Sequence, residues 1–419
     1  MTRAAGPWVD AAAAARLLGV TRATLYAYVS RGYVRSQAAP GRPRERTYSR
    51  DDIVRLRERA DQRRSPEQTA AKALQWGLPV LESAIALIDG RRLYYRGEDA
   101  VRLADSRTVE EVAALIWTGD SRRRLPTPDT VPQEATTAAT SVRRRRRFIA
   151  RAQSSLAEAA SHDPAAFDRR PDALARIGWR IVWLLTAAAA GRASVHTPIE
   201  EVLCRAWKTK PDARSIVRAA LILCADHELN VSSFTARCIA SAGAHLYGVV
   251  IGGLAALEGP KHGGASARVE SMLASLRRVR PLGPALAERQ RRGEPLDGFG
   301  HPLYKDGDPR AAALLRYLEA QFGRTPECRY VAQFARAASA ITGEQPNIDF
   351  ALAATGRVLG LPPGSPLVIF AIGRSIGWIG HAIEQYASGQ LIRPRAKYVG
   401  IVPMAVPQGI KREAADMIP

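Results

Sequence analysis

No C-x-x-C pair occurs in this chain. Cys204, Cys224, Cys238 and Cys328 stand singly, all but Cys328 in apolar, helix-like surroundings. That usage fits reduced, mostly buried thiols and argues against a disulfide framework. The histidines do not fall at ligand spacing with these cysteines, so no metal is expected. Long apolar runs are also missing. The longest uncharged stretches, Ile181 to Gly191 and Leu246 to Leu257, fall short of the roughly 18 residues a membrane span requires. Met1 to Gly6 lack the apolar core of a secretory signal, which predicts a cytoplasmic protein without membrane contact. There is no internal repeat and no extended apolar–polar alternation, so the body of the protein should be helical. Acidic charge is scarce: 61 basic residues against 40 acidic leave +21, a field that favours polyanions or small carboxylate and phosphate ligands.

The 419 residues suffice for two or three domains, and the N-terminus has its own character. Asp10 can cap a helix from Ala11 to Leu18 that Gly19 ends, and Thr21 can cap a second from Arg22 to Ser30. Ala39 to Arg44 then reads as a turn inside a basic wing, and Ser49 to Asp52 opens a third helix with capping-box spacing. Residues 1–64 hold 14 arginines against 6 acidic residues, a local balance of +8. In A-A-R-L-L-G-V-T-R-A-T-L-Y-A-Y-V and Y-S-R-D-D-I-V-R-L this unit resembles the MerR and excisionase type of winged helix-turn-helix. The resemblance implies a DNA-reading second helix, with Arg22, Thr24, Tyr28 and Arg31 on or beside its outward face. A solvated basic face used only for packing is the alternative.

Arginine density falls after Arg64, and Ser65 to Leu78 reads as a linker. Short strand-like pieces follow at Leu81 to Ile88 and Arg92 to Tyr95, then helices at Thr108 to Trp117, Ala173 to Ala190 and Ile199 to Trp207. Pro211 to Glu228 and Ser232 to Leu257 form the longest predicted helical tract, its Ala and Gly permitting close helix approach. Arg143 to Arg147 reads as a solvated helix face rather than a phosphate site.

Chemistry concentrates in three later stretches. Gly298-Phe299-Gly300-His301-Pro302-Leu303-Tyr304-Lys305-Asp306-Gly307-Asp308-Pro309-Arg310 combines turn glycines, an imidazole and two cations, as an anion-binding loop requires. Gly259-Pro260-Lys261-His262-Gly263-Gly264-Ala265-Ser266 sets a second histidine just before a helical pattern at Ala267 to Leu276, where unpaired N–H groups keep an imidazole neutral. Pro346-Asn347-Ile348-Asp349-Phe350 places one carboxylate between apolar neighbours.

With G-P-x-H-G-G-A, G-F-G-H-x-x-Y-K-x-x-D-P-R and N-I-D-F in that order, the chain resembles the citrate synthase family from about Trp76 to its end. Further matching stretches are Leu81 to Gly119, Asp226 to Arg237, Arg374 to Trp378 and Arg393 to Gly400. The resemblance implies a mainly α, two-domain helical fold carrying the small N-terminal unit. Its large domain would comprise 65–261 plus 356–419, and its small domain 262–355.

The implied reaction joins acetyl-CoA to oxaloacetate and hydrolyses the thioester to citrate and coenzyme A, as in the tricarboxylic acid cycle. Asp349 is then the general base, His262 the donor to the thioester oxygen and His301 the acid for the new alkoxide. His227, Arg310, Arg374 and Arg393 bind the dianion, Arg393 across a homodimer, and Lys305 meets coenzyme A phosphate. No permanent cofactor and no metal are implied. His162, His196, His245 and His381 match no motif and read as structural. Pro302 and Ser266 depart from the common pattern, where relatives carry arginine and asparagine, so propionyl-CoA, as in 2-methylcitrate synthases, is an alternative acyl donor. A transcription regulator that only senses metabolites is the alternative of another class.

Overall fold

The computed structural model describes residues 8–39, 42–54, 56–57, 81–126, 148–191, 195–396 and 398–401. Two compact units make up the chain, Met1–Glu82 and Ser83–Pro419. The expected linker (65–78), the arginine run (143–147) and the wing-turn residues Pro40 and Gly41 lie outside the described residues.

In the first unit, side-chain caps set the helix starts. Asp10 accepts the Ala13 N–H at 2.7 Å to begin helix Ala11–Leu18, and Gly19 ends it at φ 64. Thr21 accepts the Thr24 N–H at 3.2 Å to begin helix Arg22–Ser30. Strand Arg42–Ser49 is the centre of an antiparallel sheet, flanked by Trp8–Asp10 and Ser36–Ala39. Ala14, Leu25, Val34, Tyr48 and Ile53 form the buried core. The capping box expected at Ser49 is half made. Ser49 accepts the Asp52 N–H, but the Asp52 carboxylate turns to Arg35, taking Nε at 2.8 Å and Nη2 at 3.0 Å. That charged fork outcompetes a backbone N–H and draws the Asp52 pKa down to about 2.

The second unit opens on a small antiparallel sheet, Ala86–Ile88, Leu93–Tyr95 and Glu98–Asp99, and is otherwise helical. Thr108 and Glu111 close a full capping box on helix Val109–Thr118. The two stretches predicted as helical, Pro211 to Glu228 and Ser232 to Leu257, are three helices: Ala213–Leu223 stops short of Glu228, and the second stretch divides into Val231–Ser241 and Leu246–Leu257. Apolar content carried that expectation, but local caps override it. Asn230 accepts the Ser233 N–H and His245 the Gly248 N–H, each starting a new helix. Cys328, expected outside helical surroundings, is buried within helix Pro326–Thr342.

The longest helix is Ser365–Ser388, at 24 residues. It and Pro171–Ala190 are long and apolar enough to cross a membrane, yet 89% and 72% of their apolar windows are buried in the protein, as core helices are. Glycines let helix Ser365–Ser388 touch neighbouring backbone. A Cβ on Gly373 would lie 2.5 Å from the Leu221 carbonyl oxygen, and one on Gly377 2.4 Å from that of Ala225. This close approach brings Arg374 against the segment that ends in His227.

Candidate active site

The His301 loop is stapled to the start of helix Ile348–Val358. Gly300 N–H donates to the Gln345 carbonyl at 2.9 Å, and Asn347 N–H to that of Gly298 at 2.9 Å. Gly298 sits at φ +90, and a Cβ there would stand 2.9 Å from both Phe350 and Val269, so a larger residue would open the staple. Asn347 also caps the helix, accepting the Asp349 N–H at 3.1 Å, which fixes Asp349 in its first turn. On the loop itself, His301 Nδ1 accepts the Leu303 N–H at 3.1 Å. The ring proton therefore resides on Nε2, and burial followed by the Arg310 charge lowers the His301 pKa to about 4.

Behind this loop lies a buried ion pair. Asp308 receives Arg310 Nε at 2.9 Å and Nη2 at 2.7 Å, and also the Ile348 N–H at 3.0 Å. Burial pushes the Asp308 pKa up, but the charge and hydrogen bonds of Arg310 outweigh it and leave it below the ordinary value. Arg374 is equally buried. Its Nε donates to the Cys224 carbonyl at 2.8 Å, whereas Nη1 has no partner among the described residues. A buried guanidinium nitrogen without an acceptor marks a place for an anion.

His227 is not on a helix, as the sequence implied, but in the break before Val231–Ser241. From there its Nε2 meets the Tyr304 hydroxyl at 3.0 Å, and its ring lies 5.0 Å from that of His301. Arg310 stands 5.8 Å from the Tyr304 ring centroid, so His227, His301 and Arg310 surround one tyrosine. Burial, then Arg310 and Arg374, hold His227 well below the ordinary imidazole pKa.

His262 precedes helix Gly264–Ser275, which starts three residues earlier than expected. Its Nε2 lies 2.9 Å from the Ser232 hydroxyl, and burial with the Arg374 charge lowers its pKa to about 4. One turn on, Ser266 donates to Asp349 Oδ1 at 2.5 Å. Burial raises the Asp349 pKa, and this hydrogen bond only partly opposes it. The three stretches thus meet through Ser266, Asn347 and Asp308. Lys305 and Arg393 are exposed and stand apart from these contacts; Lys305 borders a polar cavity of about 200 Å³ with Gly300 and Glu344. Sequence reasoning assigned no role to Tyr304, Asp308, Ser232 or Ser266. The first two lay inside the motif already in view, and Ser266 stood out only as a departure from it.

A helical enzyme whose site gathers two buried arginines around His227, His262 and His301, each imidazole held below its ordinary pKa by burial, is the class this architecture defines. The chain belongs to the citrate synthase family: residues 73–395 match "Citrate synthase, C-terminal domain". It is 29% identical to citrate synthase 2 of Bacillus subtilis, over 79% of this chain and 96% of that one. With the citrate synthase of Haloferax volcanii it shares 31% identity over 77% and 94% of the two chains. With the 2-methylcitrate synthase of Shewanella oneidensis it shares 28% over 76% and 92%. Among solved structures, the Thermotoga maritima citrate synthase superposes with a TM-score of 0.64 at 26% identity, covering 80% of this chain and 98% of that one. A Thermoplasma acidophilum citrate synthase in ternary complex with carboxymethyl coenzyme A and oxaloacetate gives 0.64 at 25%, covering 81% and 99%. Residues 11–59 match the MerR helix-turn-helix family of regulatory proteins.

Proposed function

We propose that this enzyme condenses acetyl-CoA with oxaloacetate and hydrolyses the product thioester to citrate and coenzyme A. The observation that carries the reading is Asp349, made more basic by burial, tied to the His262 helix by Ser266 and to the His301 loop by Asn347. Asp349 takes a proton from the acetyl methyl group. His262 donates to the developing enolate oxygen; its Nε2 lies 2.9 Å from the Ser232 hydroxyl, which itself donates to Asn230 Oδ1 at 2.9 Å. The methyl carbon then bonds to the ketone carbon, and His301 protonates the alkoxide from Nε2. Water cleaves the thioester.

Arg310, Arg374 and His227 hold the dianion, with Arg393 of a second copy completing the site in a homodimer. Lys305 meets coenzyme A phosphate. Residues 262–355 form the small domain that closes on 65–261 plus 356–419 and excludes water. The ligands of the Thermoplasma relative support the same substrate pair. No resident cofactor enters the scheme.

The test is thiol release from acetyl-CoA and propionyl-CoA with oxaloacetate. One methylene is worth about 1–3 kcal/mol, so kcat/KM for acetyl-CoA should exceed that for propionyl-CoA by about tenfold or more. The reverse preference assigns 2-methylcitrate synthesis, and no thiol from either donor leaves a metabolite-sensing regulator.

We also propose DNA contact through residues 1–64. Arg22 and Arg31 are exposed, while Tyr28, expected on or beside that face, packs against the unit's core, and Thr24 turns back to Thr21 at 2.9 Å. Binding to duplex DNA should weaken steeply with salt and fall further in an Arg22→Ala/Arg31→Ala variant. Absence of binding in low salt would remove this proposal.

A further inference from the structure

Directly behind the substrate-facing groups lies a fully buried pair that the reaction scheme does not use. His381 Nε2 is 3.1 Å from Asp226 Oδ1, and both side chains are 0% exposed. His381 is seven residues after Arg374, two turns along helix Ser365–Ser388, and therefore on the same face. Asp226 immediately precedes His227. The pair bridges the two elements that deliver Arg374 and His227.

Asp226 is held at every polar atom the turn offers. Its N–H donates to the Tyr95 hydroxyl at 3.3 Å, Oδ1 faces His381, and Oδ2 accepts the Glu228 N–H at 3.2 Å. That last bond closes a turn in which Glu228 has φ 51, a left-handed conformation costly for a residue with a side chain. The turn aims His227 at Tyr304. Gly377 leaves no slack on the other side, since a Cβ there would lie 2.5 Å from Asp226 Oδ1. After burial, Asp226 is the largest influence on Arg374, and it favours the charged guanidinium.

His381 Nδ1 is buried with no partner among the described residues. A ring kept only for packing would gain from being apolar, because an orphaned buried acceptor is unfavourable. The imidazole is retained for what its other nitrogen does, which is to donate to Asp226.

We propose that His381 and Asp226 act as a positioning pair that aligns His227 and Arg374 for the oxaloacetate carboxylate. The proposal rests on the citrate synthase reading above. Neither residue touches substrate; both act through their neighbours.

The test measures kcat and both KM values by thiol release for the wild type, His381→Leu, His381→Gln and Asp226→Asn. Glutamine can still present an N–H to Asp226, and leucine cannot. His381→Leu should raise the oxaloacetate KM about 10- to 100-fold, as misplaced binding groups do, while the acetyl-CoA KM moves less than about twofold. His381→Gln should recover most of the loss. Asp226→Asn keeps the shape of the turn and should repeat the oxaloacetate-selective effect, which supplies the readout if the leucine variant does not fold. Equal effects of leucine and glutamine, or parallel changes in both KM values, would overturn the proposal. If the wild type itself releases no thiol, it is the activity that fails, and calorimetric oxaloacetate binding to wild type and His381→Leu still decides the role of the pair.

Discussion

Replacing Asp349 with alanine should abolish most turnover, lowering kcat by about 10²–10⁴-fold, the range a positioned general base supplies. The reason is local. Ser266 donates at 2.5 Å to Oδ1, and the Asn347 cap fixes the first turn of the helix, so the carboxylate is held in one position that alanine leaves empty of a base. Because burial raises the Asp349 pKa, the acid limb of the wild-type rate profile should lie above the ordinary carboxylate value of 3.8. His262 and His301, both held to about 4, should add no titration near pH 6.5. The groups proposed to bind oxaloacetate are Arg310, Arg374 and His227, so Asp349→Ala should retain oxaloacetate affinity within a few-fold by calorimetry. Full activity in this variant would remove the proposed base, and a loss confined to KM would reassign Asp349 to binding.

The largest effect on stability is expected for Arg310→Leu. Arg310 and Asp308 are both buried, at 2% and 0% side-chain exposure, and the substitution strands the carboxylate. Breaking one half of such a pair destabilises by about 3–5 kcal/mol, which should appear as a clear fall in melting temperature. The pH dependence carries the sign. In the wild type Asp308 lies below its ordinary value of 3.8, so the pair stabilises the fold above that value and loses its contribution as pH falls through the native pKa. In Arg310→Leu burial, the largest influence on Asp308, is opposed only by backbone N–H donors and His301, so the native pKa should move above the unfolded one and the variant should gain stability on acidification where the wild type does not. A variant that melts like the wild type, with no such inversion, would show that Arg310 is dispensable to the fold. The Asp308 bond to the Ile348 N–H would loosen the Asp349 helix as well, so turnover should fall with stability.

Much of this was legible beforehand because it depends on short-range chemistry. Asp10, Thr21 and Gly19 cap and end the first two helices through their own backbone neighbours, and those helices stand within the expected bounds. The glycines around His301 likewise announce a loop that must turn tightly. Reading failed where distant partners compete for the same group. Asp52 had capping-box spacing, but Arg35 arrives through the sheet and takes its carboxylate. A local cap was also missed: the stretch Ser232 to Leu257 had the apolar content of continuous helix, and His245, capping Gly248, divided it.

By itself, then, the order of residues determined the family and named the acid, base and cation candidates, since each rests on residue types at fixed spacing. Only tertiary structure decided that His227 meets Tyr304, that Ser266 donates to Asp349, and that His381, without a motif of its own, stands behind Asp226. Protonation, pairing and burial are set by atoms that folding brings together from across the chain, as Arg374 meets the Cys224 carbonyl from 150 positions away.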